Sequence, residues 1–171
     1  KEFFMKDAYS FDLNDEDAKK SYNRMFFAYL KTFQRLGLTA IPMEADTGPI
    51  GGDLSHEFII LADTGESKIF SDKNILNIDV AKFDSKDNSI VKLRKKYSEY
   101  YAVTDEKYQK EDFDKKVTKQ NQLVTKGIEV GHIFYFGDKY SKPLKCAVDL
   151  PENKKVNVKM GSYGIGVSRL V

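Results

Sequence analysis

The C-terminal segment MGSYGIGVSRLV combines closely spaced glycines with one arginine. Gly161, Gly164 and Gly166 follow the order G-x-x-G-x-G, which is neither the dinucleotide-binding fingerprint nor a P-loop. Glycine at these positions favours close backbone packing where a strand turns into a helix. Arg169, beyond that turn, could bind a phosphate through its planar guanidinium, and an ordinary surface ion pair is the alternative. From the residue types of this segment alone, the ordinary ion pair is the favoured interpretation.

The other side chains with catalytic or metal-binding chemistry are scattered along the chain. His56, His132 and Cys146 lack the spacing of metal ligands. No Gly-x-Ser-x-Gly elbow occurs, so the sequence does not indicate a hydrolase triad. Because His132 lies in the apolar segment GIEVGHIF, we expect a hydrogen-bonded histidine of the core.

Composition and charge exclude several classes of protein. The 171 residues contain 28 Lys and Arg against 26 Asp and Glu, and the net charge of +2 gives no general attraction to nucleic acid or membranes. One cysteine excludes a disulfide framework and is typical of a reducing compartment. No apolar run approaches the roughly 20 residues that span a bilayer, and the first residues do not resemble a signal peptide. The sequence therefore predicts a soluble, cytoplasmic protein.

The patterns of apolar residues predict the α+β class, with an antiparallel β-sheet flanked by helices. The strongest pattern is an amphipathic helix that begins after the N-cap residue Asn14 and ends at Gly37. An extended aromatic segment precedes this helix, and a glycine-rich loop is expected at 46–54. Further strands are predicted at 39–43, 56–62 and 68–70, and in the segments GIEVGHIFYFG, LKCAVDL and KVNVKM.

Residues 71–125 differ in composition from the segments on either side. They are rich in Lys, Asp, Asn, Ser and Tyr, which predicts surface helix and loop inserted between core strands. The run 92–101 is either a basic, aromatic RNA-binding patch or a solvated helix face, and nearby acidic residues favour the solvated face. The predicted organisation is core at 1–70, a short polar insert at 71–125, and core again at 126–171. Apolar residues at both ends lead us to expect a fragment of a longer protein.

Four segments, in this order, resemble the bacterial-type prolyl-tRNA synthetases, a family of class II aminoacyl-tRNA synthetases. They are KEFFMKDAYSFD, EADTGPIGGDLSHEFIILADTGE, KGIEVGHIFYFGDKYS and MGSYGIGVSRLV. The resemblance implies a catalytic core on an antiparallel sheet, which uses ATP and Mg²⁺ to activate L-proline and then transfers the prolyl group to tRNA(Pro). It also implies a homodimer. The rival interpretations are a threonyl or seryl enzyme of the same subgroup and a non-catalytic, synthetase-like RNA-binding module.

The same resemblance implies roles for residues in the first half of the chain. Phe3 matches the aromatic residue that stacks on adenine, so it is a predicted ATP contact. Met5, Asp7 and Tyr9 alternate along one strand and are predicted to line the proline pocket, with Asp7 holding the ammonium group. The pocket wall opposite them is predicted to contain, from the segment SHEF, His56 and Phe58.

Residues in the second half have implied roles as well. Glu129 is similar in place to residues that contact ATP or Mg²⁺, His132 is expected to face proline, and Gly131 to leave room for the ligand. Ser162 stands where many bacterial relatives carry Cys, and it is predicted to lie at the proline site. Arg169 matches the arginine that binds the γ-phosphate and is the predicted catalytic residue.

The length of the insert carries a further implication of the resemblance. Many bacterial relatives insert a whole editing domain, which hydrolyses mischarged alanyl-tRNA, where this chain has residues 71–125. About 55 residues cannot form that domain together with its connections. The chain is therefore identified with the shorter subtype that lacks the editing domain.

Overall fold

The computed structural model describes residues 3–46 and 54–171. These ranges contain three α-helices and nine β-strands. The elements are β1 (Met5–Asp12), α1 (Asp15–Arg35), β2 (Ala40–Glu44), β3 (Leu54–Leu61), β4 (Ser67–Asp72), α2 (Asp87–Ser98), β5 (Ala102–Thr104), α3 (Lys110–Lys116), β6 (Gln122–Gly137), β7 (Ala147–Leu150), β8 (Lys154–Asn157) and β9 (Lys159–Gly166). Most of the loop predicted at 46–54 lies outside the described residues.

Helix α1 begins and ends where its sequence predicts. The backbone N–H of Asp17 donates to Oδ1 of Asn14 at 2.9 Å, which confirms the N-cap. Gly37 adopts a φ of 75° just after the helix, a conformation that glycine reaches without steric cost. The helix packs its aromatic face on strand β3, where Phe58 meets the rings of three α1 residues, Phe26, Tyr29 and Phe33.

The main sheet has seven strands in the order β1-β9-β6-β3-β2-β5-β4. Every pairing is antiparallel except the short contact between β2 and β5, where Glu44 is paired with Val103. Strand β4 also pairs with the first half of the long strand β6, so the sheet curls back on itself at this end. The predicted α+β class with an antiparallel sheet is confirmed.

Residues 71–125 contribute more to the core than their composition predicts. Strand β5 lies inside the main sheet between β2 and β4. On helix α2, Ile90, Leu93 and Tyr97 are buried in the same hydrophobic core as α1. The prediction of surface helix and loop is therefore wrong for these elements, because a minority of apolar residues spaced along polar segments is enough to dock them. The boundaries at residues 70 and 125 remain a prediction.

The C-terminal glycines lie within a strand rather than after it. Strand β9 runs through Gly161, Gly164 and Gly166, and it is held on one side by β1 and on the other by β6. Only then does a short 3₁₀ turn, Val167–Arg169, begin. The strand was predicted to end among these glycines, and it ends at the last of them, Gly166. Among the helices of the described residues, none has both the length and the hydropathy that a membrane span requires.

Candidate functional site

Strand β1 divides its side chains between two different surfaces. Lys6 donates to the hydroxyl of Tyr29 at 2.7 Å, so Lys6 points toward α1. Because side chains alternate along a strand, Met5, Asp7 and Tyr9 point to the opposite side, and all three are exposed. We call the surface that bears Met5, Asp7 and Tyr9 the open face of the sheet. The predicted common orientation of these three residues is confirmed.

The central strands continue this surface from β1 to β6. Tyr9, Ser162 and Phe134 stand side by side across β1, β9 and β6. In the neighbouring row Gly164 stands between Asp7 and His132. The structure therefore brings together five of the predicted proline-site residues on the open face: Met5, Asp7, Tyr9, His132 and Ser162.

Gly164 leaves a gap in the middle of this surface. A Cβ atom built on Gly164 would lie 3.3 Å from Cε of Met5 and 3.4 Å from Oδ1 of Asp7, so a side chain there would fill the space beside the carboxylate. Gly131, which was predicted to leave room for the ligand, faces the opposite side of the sheet. A Cβ on Gly131 would meet the rings of Tyr29 and Phe33 on α1 at 3.3 Å. The predicted role of Gly131 is therefore corrected, since it allows α1 to approach the sheet.

A β-bulge aims Glu129 at the open face. Phe58 pairs with Gly131 and Ile59 with Glu129, so Val130 has no partner on β3. Residues three apart on a regular strand point to opposite faces, but the extra residue puts Glu129 on the same side as His132. Nδ1 of His132 lies 3.2 Å from Oε1 of Glu129 as a result.

Hydrogen bonds orient the ring of His132 from both sides. Glu129 can only accept when ionised, so Nδ1 of His132 donates to it, and in the neutral ring Nε2 then accepts from the hydroxyl of Ser55 at 2.6 Å. The ring also stacks on Phe134, with 3.8 Å between the centroids. His132 is half-buried on the open face, so the expected hydrogen-bonded histidine is found, although it is not enclosed in the core.

Two carboxylates beside His132 differ in their tendency to ionise. Burial and, to a smaller extent, the charge of Glu129 raise the pKa of Glu57 to about 7, against a weaker lowering effect of His132. For Glu129, burial alone acts to raise the pKa, but the hydrogen bond from His132 and the charge of Arg169 bring it below its ordinary value. Glu129 is therefore ionised at neutral pH, and Glu57 exchanges its proton there. Glu57 and Ser55 were not among the site residues predicted from the sequence. They alternate with His56 and Phe58 along the strand, so the sequence does show that the two pairs point to opposite faces.

Arg169 reaches the same carboxylate from the 3₁₀ turn. Its Nη1 donates to the backbone carbonyl of Glu129 at 2.8 Å and lies 3.4 Å from Oε2 of that residue. Gly166 permits this approach, because a Cβ there would lie 3.3 Å from Cδ of Arg169. The Arg169 side chain remains about half exposed, so the guanidinium is both anchored and open to a ligand.

Phe3 lies beside the turn that carries Arg169. The backbone N–H of the next residue, Phe4, donates to the hydroxyl of Ser168 at 2.8 Å. The Phe3 side chain is 62% exposed, and it precedes the first residue of β1. Its assignment to adenine remains a prediction.

His56 and Phe58 do not lie on the open face. Both are buried on the α1 side of β3, where His56 is 2.6 Å from the hydroxyl of Tyr22 and Phe58 packs among the α1 rings. The strand alternates, so Ser55 and Glu57 take the open face in their place. The prediction that His56 and Phe58 line the proline pocket is therefore wrong, and their role is to pack the sheet against α1.

The family model described as "tRNA synthetase class II core domain (G, H, P, S and T)" matches residues 1–171. The chain belongs to this family.

Three relatives with more than half of their aligned residues identical to this chain share one name. The chain is 69% identical over 171 residues to the protein named Proline--tRNA ligase of Pelagibacter ubique (strain HTCC1062). The aligned region is all of this chain and 38% of that protein. It is 55% identical over 172 residues to Proline--tRNA ligase of Rhodopseudomonas palustris (strain BisB18) and 56% identical over 174 residues to that of Bartonella tribocorum (strain CIP 105476 / IBS 506). All of this chain is matched in both cases, with 39% of each relative, so the chain spans about two fifths of the length of these relatives.

Proposed function

We propose that the whole protein containing this chain is a proline–tRNA ligase, which converts L-proline and ATP to prolyl-adenylate and pyrophosphate and then transfers the prolyl group to tRNA(Pro). The observation that carries the proposal is the open face. The predicted proline-site residues of β1, β9 and β6 lie in neighbouring rows there, and Glu129 and Arg169 form an ion pair beside them. The relatives named Proline--tRNA ligase support the same substrate class.

Recognition of proline is assigned to the row that contains the Gly164 gap. Asp7 presents an exposed carboxylate next to this gap, which suits the secondary ammonium of proline. Met5 and Tyr9 supply apolar surface for the pyrrolidine ring on either side of Asp7 along β1. His132 closes the opposite side, and its hydrogen bonds to Ser55 and Glu129 hold it in one orientation.

Activation of proline requires charge stabilisation more than a covalent partner. The carboxylate of proline attacks the α-phosphorus of ATP, a P–O bond forms, and the bond to the pyrophosphate leaving group breaks. Arg169 is assigned to the γ-phosphate, where its guanidinium neutralises charge as pyrophosphate leaves. Since Oε2 of Glu129 is 3.4 Å from Nη1, the guanidinium can exchange this weak contact for a phosphate and keep its bond to the Glu129 carbonyl.

Mg²⁺ is the metal that this proposal implies. Ligand atoms of Glu57, Glu129 and His132 all lie within 4.8 Å of one another. The two carboxylates fit a hard cation that prefers oxygen ligands, whereas imidazole suits zinc and other transition metals better. Glu57 and Glu129 are therefore the residues that would hold Mg²⁺, which supplies positive charge to the phosphates of ATP when bound.

Amino-acid-dependent exchange between ATP and labelled pyrophosphate tests the proposal. We expect the whole protein to support exchange with L-proline and not with L-threonine or L-serine at the same concentration. Exchange dependent on threonine or serine would assign the protein to another member of the subgroup. Absence of exchange with every amino acid, from folded protein, would favour a non-catalytic RNA-binding module.

Fidelity follows from the length of the segment 71–125. We infer that this segment replaces the editing domain of longer relatives, because its apolar residues are used to dock α2 and β5 on the main core. A pocket that accepts proline discriminates against the smaller alanine by only about 1–3 kcal/mol. The whole protein should therefore form alanyl-tRNA(Pro) and fail to hydrolyse it. Deacylation of preformed alanyl-tRNA(Pro) above the spontaneous rate, in the presence of the protein, would contradict the inference.

The quaternary structure and location are proposed from the family resemblance. We expect the whole protein to be a homodimer in the cytoplasm, where its tRNA substrate is found. Sedimentation equilibrium of the whole protein measures the first expectation, and a monomer at micromolar concentration would contradict it. Cell fractionation measures the second.

A further inference from the structure

A cavity of about 400 Å³ lies on the α1 side of the sheet, away from the open face. We call it the rear cavity. Its aromatic lining comes from α1, from α2 and from the segment that follows α2: Phe26, Tyr97, Tyr100 and Tyr101. Its charged lining comes from several elements, with three basic and three acidic residues: Arg94, Lys107, Lys116, Glu44, Glu99 and Asp112.

Arg94 is the most buried of the three cations that line this cavity. Its guanidinium lies over the ring of Phe26, with 4.3 Å between Cζ and the ring centroid. Nη1 is also 3.3 Å from Nε2 of His56. Because a guanidinium can only donate, Nε2 accepts, and the ring proton of His56 lies on Nδ1 and is donated to the hydroxyl of Tyr22. The buried pair of His56 and Tyr22 thus sets the position of Arg94.

Arg94 lacks the carboxylate that usually accompanies a half-buried arginine. Within residues 3–46 and 54–171 it forms no ion pair, and its single hydrogen bond is to the neutral ring of His56. Burial lowers the pKa of the Arg94 guanidinium, and the opposing effects of Tyr22 and Glu44 compensate this only in part. A planar guanidinium has five N–H donors, so most of its hydrogen-bonding capacity remains available to a ligand in the cavity.

The other charges of the rear cavity limit the kind of anion. Nζ of Lys107 is 3.9 Å from Glu44, and Nζ of Lys116 is 3.7 Å from Asp112, so both lysines already have acidic partners. Glu99 is the carboxylate of the lining that lies outside these two pairs, and its charge would repel a doubly charged phosphate more strongly than a singly charged carboxylate. The aromatic walls favour a ligand with a flat apolar body.

We propose that the rear cavity is a binding site for a small organic monocarboxylate with an aromatic or other apolar body, recognised by a bidentate contact from Arg94. The tyrosines enclose the apolar part of the ligand, and the guanidinium fork accommodates both carboxylate oxygens. This site is separate from the proposed sites for ATP and proline, since it lies on the opposite side of β3.

Benzoate is a suitable probe, and its amide, benzamide, has the same shape without the charge. Saturation-transfer NMR with the whole protein should give saturable benzoate binding with a Kd of about 10 mM or lower, as expected for a ligand of this size. Benzamide and inorganic phosphate should each bind at least about tenfold more weakly. Saturating proline and ATP should leave the Kd of benzoate unchanged.

Substitutions test whether benzoate binds to Arg94 in the rear cavity or to another arginine. Arg94→Met retains most of the side-chain volume and should weaken benzoate binding at least about tenfold, and Arg94→Lys should also weaken it because the fork is lost. Arg24→Met is the matched control, since Arg24 is an exposed arginine already paired with Asp87 at 3.0 Å. It should bind benzoate like the wild type.

Several outcomes would overturn the proposal. These are the absence of saturable benzoate binding, equal binding of benzoate by Arg94→Met and wild type, and tighter binding of phosphate than of benzoate. Loss of binding in Arg169→Met with retention in Arg94→Met would place the carboxylate on the open face instead. If Arg94→Met does not fold, the Arg94→Lys variant and the competition with proline and ATP still decide the question.

Discussion

The two histidines of this chain lie on neighbouring strands and face opposite sides of the sheet. His56 is opposite Ile133, and the next residue on β3, Glu57, is opposite His132. His132 on the open face is held by polar groups and stays accessible. On the other side, burial and the charge of Arg94 keep the pKa of His56 well below its ordinary value, so His56 is neutral. A shift of one residue along a strand therefore separates an accessible histidine on the open face from a structural one.

The two sides of the sheet differ throughout in the same way. Outside the rear cavity, the α1 side is packed with rings in edge-on and tilted contact, and the side chains around Phe58 have defined packing partners. The open face instead combines exposed side chains on β1, a gap at Gly164 and a cluster of ionisable groups around Glu129. The difference indicates that substitutions on the α1 side should act on stability, and those on the open face on catalysis.

The largest expected effect comes from Phe58→Ala. Phe58 is fully buried against three α1 rings, so its truncation should lower the free energy of unfolding by about 3–5 kcal/mol. Chemical denaturation of the whole protein measures this loss. Met5→Ala is the matched control, because it removes an apolar side chain from the open face and should change stability little. A normal stability of Phe58→Ala together with a raised KM for proline would return Phe58 to the amino-acid pocket.

Substitution of Arg169 should have the next largest effect, on catalysis alone. Loss of a charged phosphate contact at the reacting centre should slow proline-dependent pyrophosphate exchange by Arg169→Ala roughly 10²-fold or more. Arg169 is half exposed, so the melting temperature should be close to that of the wild type. Arg35→Ala, an exposed arginine in the last turn of α1, provides the control for loss of charge. Exchange at a near-normal rate in Arg169→Ala would disprove the assignment.

Phe3→Ala should give a smaller and more selective effect. A ring stacked on a base contributes about 1–3 kcal/mol in comparable sites, so the KM for ATP should rise between roughly fivefold and 150-fold. The KM for proline should change little. Steady-state exchange kinetics with each substrate varied in turn distinguish the two. A rise confined to the KM for proline would move Phe3 into the amino-acid site.

Some features of both sides could be predicted because they depend on local chemistry. Asn14 has a side chain that caps a helix, and the acidic residues after it favour the helix N-terminus, so the start of α1 is evident. The alternation of Met5, Asp7 and Tyr9 with smaller or basic residues similarly indicates their shared face. The grouping of these residues with Glu129 and Arg169 came from the family resemblance rather than from periodicity.

Other features depend on contacts that no local pattern reveals. Strand β3 has buried side chains on both faces, so its sequence does not indicate which face contacts α1, and the error at His56 and Phe58 follows. The bulge at Val130 is visible only from the pairing with β3. Strand β5 has only three residues and a single parallel pairing, too little for a periodic signal. The role of Arg94 likewise depends on the distant residues Phe26 and His56.

The smallest effects, which are also the most diagnostic of the two faces, concern pH. Glu57 has a folded pKa of about 7 against an ordinary value of 4.5, so the folded state keeps its proton longer than the unfolded chain. Its stabilising contribution is complete below pH 4.5 and is lost as the pH rises through 7. For His56 the folded pKa lies well below 6.5, so its contribution is present above pH 6.5 and is lost as the pH falls. The two groups therefore give opposite slopes between about pH 5 and 7.

Two variants, each without one of these titrating groups, should distinguish the pH dependence of stability due to Glu57 from that due to His56. Glu57→Gln should gain about 1–2 kcal/mol relative to wild type between pH 5 and pH 7.5, and His56→Gln should gain stability relative to wild type on going from pH 7.5 to pH 5. For a domain of this size each kcal/mol shifts the melting temperature by roughly 2–4 °C, which thermal denaturation at several pH values resolves. His56→Gln should be less stable than wild type at pH 7.5, because the buried Tyr22 hydroxyl loses its partner. Parallel pH profiles for Glu57→Gln and wild type would show that Glu57 titrates at its ordinary pKa, and the contrast between the two faces would then depend on packing and not on protonation.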